Sequence, residues 1–227
     1  GDHLELNSTE QWLDTAYIPT GGKHGVPKIA KTLREVGVPV KAVFDIDFLS
    51  ESSLVKTTVD AFGGCWADIE PLWRRGDAAG RGGNKPKSKS EMKKNITEII
   101  NNSGDDELPK GDIIEAMKQG KPWSMVKKFG YRGIPHGEAQ ADYNLLKNAL
   151  ENIGVYLVPV GEIENFCPQI GSHGPKFITK LLSNIPLGDP QLTDLRDFVN
   201  IVHKGKHCNL DSNLVSKAEK APEKAEA

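Results

Sequence analysis

Apolar residues recur along this chain in two rhythms. Val26, Ile29, Leu33 and Val36 fall at helical spacing, with Pro27 suited to a first turn and Gly37 to a stop. Ala16-Tyr17-Ile18, Val38 to Phe44 and Val155 to Val160 are short apolar runs bounded by turn residues, the pattern of buried strands. The first two runs, the Gly21-Gly22 turn and the intervening helix make a βαβ unit, and a crossover of that length predicts a parallel pair. After Asp47, Ser50 or Ser52 is placed to cap a helix through Leu54, Val55 and Val59 that ends at Gly63-Gly64.

The middle of the chain changes character. From Arg74 to Asn95 there are eight basic residues against two acidic ones, with Gly, Pro and Ser between them, so Gly76 to Ser90 reads as a mobile basic loop. Met92, Ile96, Ile99 and Ile100 then mark an amphipathic helix, and Ile113, Ile114 and Met117 a second. Trp66 and Trp73, seven apart, read as packing residues rather than base-stacking platforms. The α/β pattern resumes at Glu138, where Leu145, Leu146, Ala149 and Leu150 line a helix face ahead of the run that closes at Glu162. Lys176 to Leu182 and Leu195 to Val202 are the last helices expected. The expected organisation is an α/β core over 1–65 and 134–210, a helical insertion with a basic loop over 66–133, and a disordered tail over 211–227.

Composition narrows the classes. A net charge of −2 carries no global nucleic-acid signature, so any such contact must be local. Cys65, Cys167 and Cys208 form no C-x-x-C pair and read as reduced thiols of a cytoplasmic protein. No stretch is long and apolar enough to span a bilayer, so no membrane partner is expected.

The chemistry is concentrated in two acidic pairs. Asp45-Ile46-Asp47 follows Ala42-Val43-Phe44, and Glu162-Ile163-Glu164 follows Val155 to Val160 and Gly161. Either pair alone is also what a solvated strand end looks like. Both together, at the C-terminal ends of strands in one α/β unit, stand where open sheets bind ligands. Carboxylates that converge repel unless a cation joins them, and hard oxygen donors favour Mg²⁺ or Mn²⁺. Asp45, Asp47, Glu162 and Glu164 are therefore the candidate metal ligands and catalytic acids of a two-metal site.

Gly21-Gly22-Lys23-His24-Gly25 lacks Walker spacing, but it places Lys23 and His24 near a helix start, as phosphate contacts or as exposed residues of a tight turn. Lys85 and Lys87 of the basic loop are candidate DNA-backbone contacts, or part of a solvated loop. Lys176, and Lys204 or Lys206, are candidates to stabilise a transition-state charge, the role of a catalytic lysine, and each is otherwise a surface residue. His203, His207 and Cys208 resemble zinc spacing but lack a second pair.

Taken together, Gly21-Gly22-Lys23-His24, Val43 to Leu49, Phe62 to Trp66, and Val160 to Asn165 with His173-Gly174-Pro175 resemble the toprim nuclease domain of the OLD (overcoming lysogenization defect) family of ATPase–nucleases. The resemblance runs from about residue 17 to about residue 202. It implies a toprim-like parallel sheet flanked by helices, with a helical insertion. It also implies Mg²⁺- or Mn²⁺-dependent endonuclease cleavage or nicking of DNA in phage or bacterial defence. Asp45 and Asp47 match the family's D-x-D ligands, and Glu162 and Glu164 its later acidic cluster. The implied partners are DNA and an upstream ATPase domain or subunit. The family's first glutamate, on a strand followed by Glu-Gly, has no match before Tyr17, and the expectation is that it lies upstream of Gly1 or is degenerate.

Two other readings stand beside this one. A haloacid-dehalogenase-type phosphatase would use Asp45 as nucleophile and Asp47 as acid. Against it, Leu49 stands where that family favours Thr or Val, and the later pair is Glu-x-Glu rather than paired aspartates. A catalytically inactive assembly or regulatory module would keep the acids as remnants.

Overall fold

The computed structural model describes residues 15–82, 88–104, 108–119 and 123–210. These residues form a mostly helical α/β fold around a small parallel sheet. The sheet pairs β1 (Ala42–Phe44) with β2 (Val155–Leu157) in parallel, Ala42 opposite Val155 and Phe44 opposite Leu157. The parallel partners are thus the two acid-bearing strands. Residues 15–20 belong to no helix or strand, and Tyr17 and Ile18 are exposed, so the expected first strand is absent there. The other expected strand shortens to β1: Pro39 has no N–H to donate, and the Val40 N–H goes to the Cys208 sulfur.

Helix α1 (Val26–Glu35) has Pro27 in its first turn, buries Val26, Pro27 and Ala30, and stops at Gly37 with φ of +80°. Helix α2 (Ser52–Ala61) buries Leu54, Val55, Thr58 and Val59, a 3–4 spacing that gives one apolar face. Its cap residue is Glu51, without a side-chain cap bond, while the Ser50 hydroxyl closes the preceding turn onto the Asp47 carbonyl.

Helix α3 (Trp66–Gly82) corrects the sequence expectation, because residues 76–82 continue the helix instead of opening a loop. Two interactions hold them. Arg81 pairs with Asp77 one turn earlier at 2.7 Å, and Gly80 lets the Trp123 ring lie flat against the helix backbone. Helices α4 (Lys89–Asn102) and α5 (Lys110–Gln119) follow as the amphipathic pattern predicts, α4 opening on a capping box between Ser88 and Glu91. Helix α6 (Ser124–Phe129) is short, and α7 (Glu138–Glu151) buries Tyr143, Leu146 and Leu150 against α3. Helices α8 (Pro175–Asn184) and α9 (Thr193–Lys204) complete the order.

The principal core joins β1, β2, α2, α3 and α7, and it includes Ile69, Ala79, Trp123, Val126 and Ile134. Parts of the 66–133 stretch are therefore built into the core beneath the sheet ends. A second cluster gathers Cys167, Phe177, Leu181, Ile185 and Leu192 around α8. The Lys41 ammonium donates to the Val202 and His203 carbonyls, tying the last turn of α9 to the strand. Among the described residues no helix is long and apolar enough to cross a membrane.

Candidate active site

Both acidic pairs take the same place in the local structure. β1 ends at Phe44, and Asp45 is the cap residue of a 3₁₀ turn over Ile46–Ser50. Glu162 is the cap residue of a 3₁₀ turn over Ile163–Phe166, reached from β2 through residues 158–161. Neither carboxylate bonds its own turn. Asp47 and Glu164 each fall in the first turn that follows. The sequence pattern put the second acids on strands; the chain instead turns directly after each first acid.

Backbone pairing brings the two turns side by side. The Val158 N–H donates to the Phe44 carbonyl at 2.9 Å, and the Ile46 N–H to the Gly161 carbonyl at 2.8 Å. Ile46, between the two aspartates, is fully buried, and Phe44 stacks on Phe48 at 4.1 Å between ring centroids. That burial anchors the turn from below, while Asp45 and Asp47 stay half-buried at the rim. Gly161 has φ of +100°, and a Cβ there would run into the Lys127 carbonyl. Only glycine lets the β2 turn approach α6 this closely.

Asp45 feels the whole group. Burial raises its pKa first, Lys127 lowers it, and Asp47, Glu162 and Glu164 raise it further, to about 6 from the ordinary 3.8. The three other acids thus lie close enough to Asp45 to resist its ionisation. Lys127 of α6 is the cation among them, with its ammonium 3.3 Å from Asp47 Oδ2 and 3.5 Å from Glu162 Oε2. Burial pulls the Lys127 pKa down, but Asp47, Glu162 and Asp45 outweigh it and the net direction is up. Asn165, next to Glu164, donates to the carbonyls of Lys127, Lys128 and Val160 and so holds α6 against the β2 turn.

Lys23 reaches the site from the turn before α1, 3.6 Å from Asp47 Oδ1 and 2.6 Å from Glu51. His24 lies 3.6 Å from Glu51 and is largely exposed. Glu164 Oε1 accepts the Gly174 N–H at 2.8 Å, just ahead of α8, and lies 3.7 Å from His173. Lys176 is exposed in the first turn of α8 and forms no ion pair with a described residue. Lys85 and Lys87 lie outside the described residues.

The structure therefore gathers Asp45, Asp47, Glu162 and Glu164, with Lys23 at the edge, and adds Lys127, which the sequence reading passed over. Nothing in the local pattern marks Lys127, whose contact with Asp47 spans 80 positions. Asn165 was within reach of the sequence, since it directly follows Glu164 in the motif. The donor set, carboxylate oxygens alone, has the hardness that Mg²⁺ or Mn²⁺ prefers. Among the described residues, no three His, Cys, Asp or Glu side chains form a group able to hold an ion, and the Lys127 ammonium stands between Asp47 and Glu162.

No family model, curated protein or solved structure matches this chain.

Proposed function

We propose that this chain is a metal-dependent phosphodiester hydrolase, the toprim-like DNA-nicking domain of an OLD-type ATPase–nuclease of phage or bacterial defence. The observation that carries the reading is that the parallel strands set the Asp45–Asp47 and Glu162–Glu164 turns side by side, with Lys127 3.3 Å from Asp47 and 3.5 Å from Glu162. Parallel strands whose C-terminal ends carry acids suit a cation-assisted reaction on a phosphate. Bound there, Mg²⁺ or Mn²⁺ would lower the pKa of a water and offset charge on the phosphoryl oxygens.

The protein's own groups divide the remaining tasks. The four carboxylates would hold the ion. Lys127 orients Asp47 and Glu162 between the two turns, and Lys23 is placed to meet a phosphate oxygen at the rim. The basic stretch that includes Lys85 and Lys87 gives the DNA backbone its contact, and an upstream ATPase domain or subunit is the expected partner.

The experiment is nicking of supercoiled plasmid with Mn²⁺ by this domain joined to the glutamate-bearing strand that the resemblance calls for. Asp45→Asn is expected to lower the rate by about a hundredfold or more, as loss of a group that supports transition-state charge does. Hydrolysis of p-nitrophenyl phosphate with the plasmid left intact would overturn the nuclease reading in favour of the phosphatase.

A further inference from the structure

Helices α4 and α5 carry apolar surface that the described residues leave uncovered. Met92, Ile96, Ile99 and Ile100 give α4 an apolar stripe at helical spacing, yet none of its residues is buried. It packs chiefly against α5, whose buried side chain among the described residues is Ala116. Ile100 is 42% exposed, Leu108 between the two helices 56%, and Ile114 and Met117 of α5 52% each. Met92 and Ile96 line an open groove of about 440 Å³ with Lys89, Lys93 and Thr97. A helix of this length is marginal in water unless its apolar face is buried, and contiguous apolar surface of this kind marks an interaction site.

We infer that this helical hairpin is the interface of a homodimer, in which two copies pack α4 and α5 face to face as a four-helix bundle. The α4 stripe selects a second copy because it is symmetric about Ile96, with Met92 four residues before and Ile100 four residues after. Two α4 helices crossing antiparallel at Ile96, about a two-fold axis, therefore match apolar to apolar along their length. Charge selects the same arrangement. Lys89, Lys93 and Lys94 outnumber Glu91 in the first half of α4, and Glu98 is the charged residue of the second half. An antiparallel pair sets the basic half of each copy against the half that carries Glu98, whereas a parallel pair sets the two basic halves together. Covering the apolar side chains of both hairpins removes on the order of 1,200 Å² from water, within the range of stable interfaces. The acidic turns and Lys127 lie outside the hairpin, so the interface stands apart from the nuclease reading.

The experiment is sedimentation equilibrium of the full chain, with circular dichroism to check that each variant is folded. Wild type is expected to be dimeric in the micromolar range. Ile100→Glu combined with Ile114→Glu changes two exposed positions, so the variant is expected to stay folded and to dimerise about tenfold more weakly or worse. Disulfide trapping in a Cys65→Ser background locates the crossing point, because Cys65 is exposed while Cys167 and Cys208 are buried. Ile96→Cys is expected to cross-link the two copies through the same position. Asn102→Cys is expected not to, because its backbone lies about 18 Å from the equivalent point of the second copy, beyond the roughly 7 Å that a disulfide spans. A monomeric wild type overturns the inference. A dimer that survives the double glutamate change unweakened overturns it too, as does trapping through Asn102→Cys in place of Ile96→Cys.

Discussion

Asp45 is the residue on which the electrostatics of the site turn. Its pKa of about 6 lies above the ordinary 3.8, first because of burial and then because of three neighbouring acids. The folded state therefore binds a proton more tightly than the unfolded chain does. Between about pH 4 and pH 6 the native protein carries the extra proton, so this group's contribution to stability falls as pH rises through that window. Urea midpoints measured across it should decline for wild type relative to Asp45→Asn, whose amide does not titrate. Equal slopes would mean that neither burial nor the neighbouring acids raise the pKa of Asp45. A saturating divalent cation should erase the difference by favouring the ionised carboxylate.

At the scale of elements, the site depends on how α3 holds the start of α6. Trp123 directly precedes α6 with φ of +71°, an unfavourable conformation for a residue with a side chain. Tertiary contacts hold it there: the ring is buried, and its Nε1–H donates to Asp77 Oδ1 at 2.9 Å. The ring packs on Gly80, where a Cβ would come within 2.5 Å of the indole. Gly80→Ala is thus expected to destabilise the fold by about 1–3 kcal/mol through overpacking. It should also weaken Mn²⁺ binding, because Lys127 follows Trp123 by one helical turn. Unchanged Mn²⁺ affinity in Gly80→Ala would separate α6 from the site. This helical stretch was hidden by composition: glycine and arginine suggested a loop, whereas the close approaches of Trp123 to Gly80 and of Leu146 to Gly76, the buried Ala79 and the Asp77–Arg81 pair hold residues 76–82 as a helix.

For the whole molecule, the carboxylates sit where two packing units meet. Asp45 and Asp47 are anchored by the principal core through Ile46 and Phe48, whereas Glu164 is tethered to the start of α8, which belongs to the second cluster. Phe177→Ala empties the centre of that second cluster, at a cost of about 3–5 kcal/mol. Hydrogen exchange should then show α8 opening while amides of α2 and α7 keep their protection. The tether on Glu164 should loosen with α8, and Mn²⁺ affinity should fall. Equal loss of protection in α2, α7 and α8 would make the two clusters one cooperative unit.

Local signals were enough for the α/β class, for helices such as α1 and α2, and for the two acidic pairs, because periodicity, proline and glycine stops act over a few residues. They did not reveal that the acid-bearing strands pair with each other, nor that Ala16–Ile18 stays outside the sheet, since a strand is defined by a partner the local pattern does not name. Lys127 was equally invisible. Its role follows from the Gly161 turn, the Asn165 amide and the Trp123 anchor, which bring α6 to the strand ends from distant parts of the chain. Residue chemistry is written along the chain, but which charges oppose one another is settled by packing over long sequence separations.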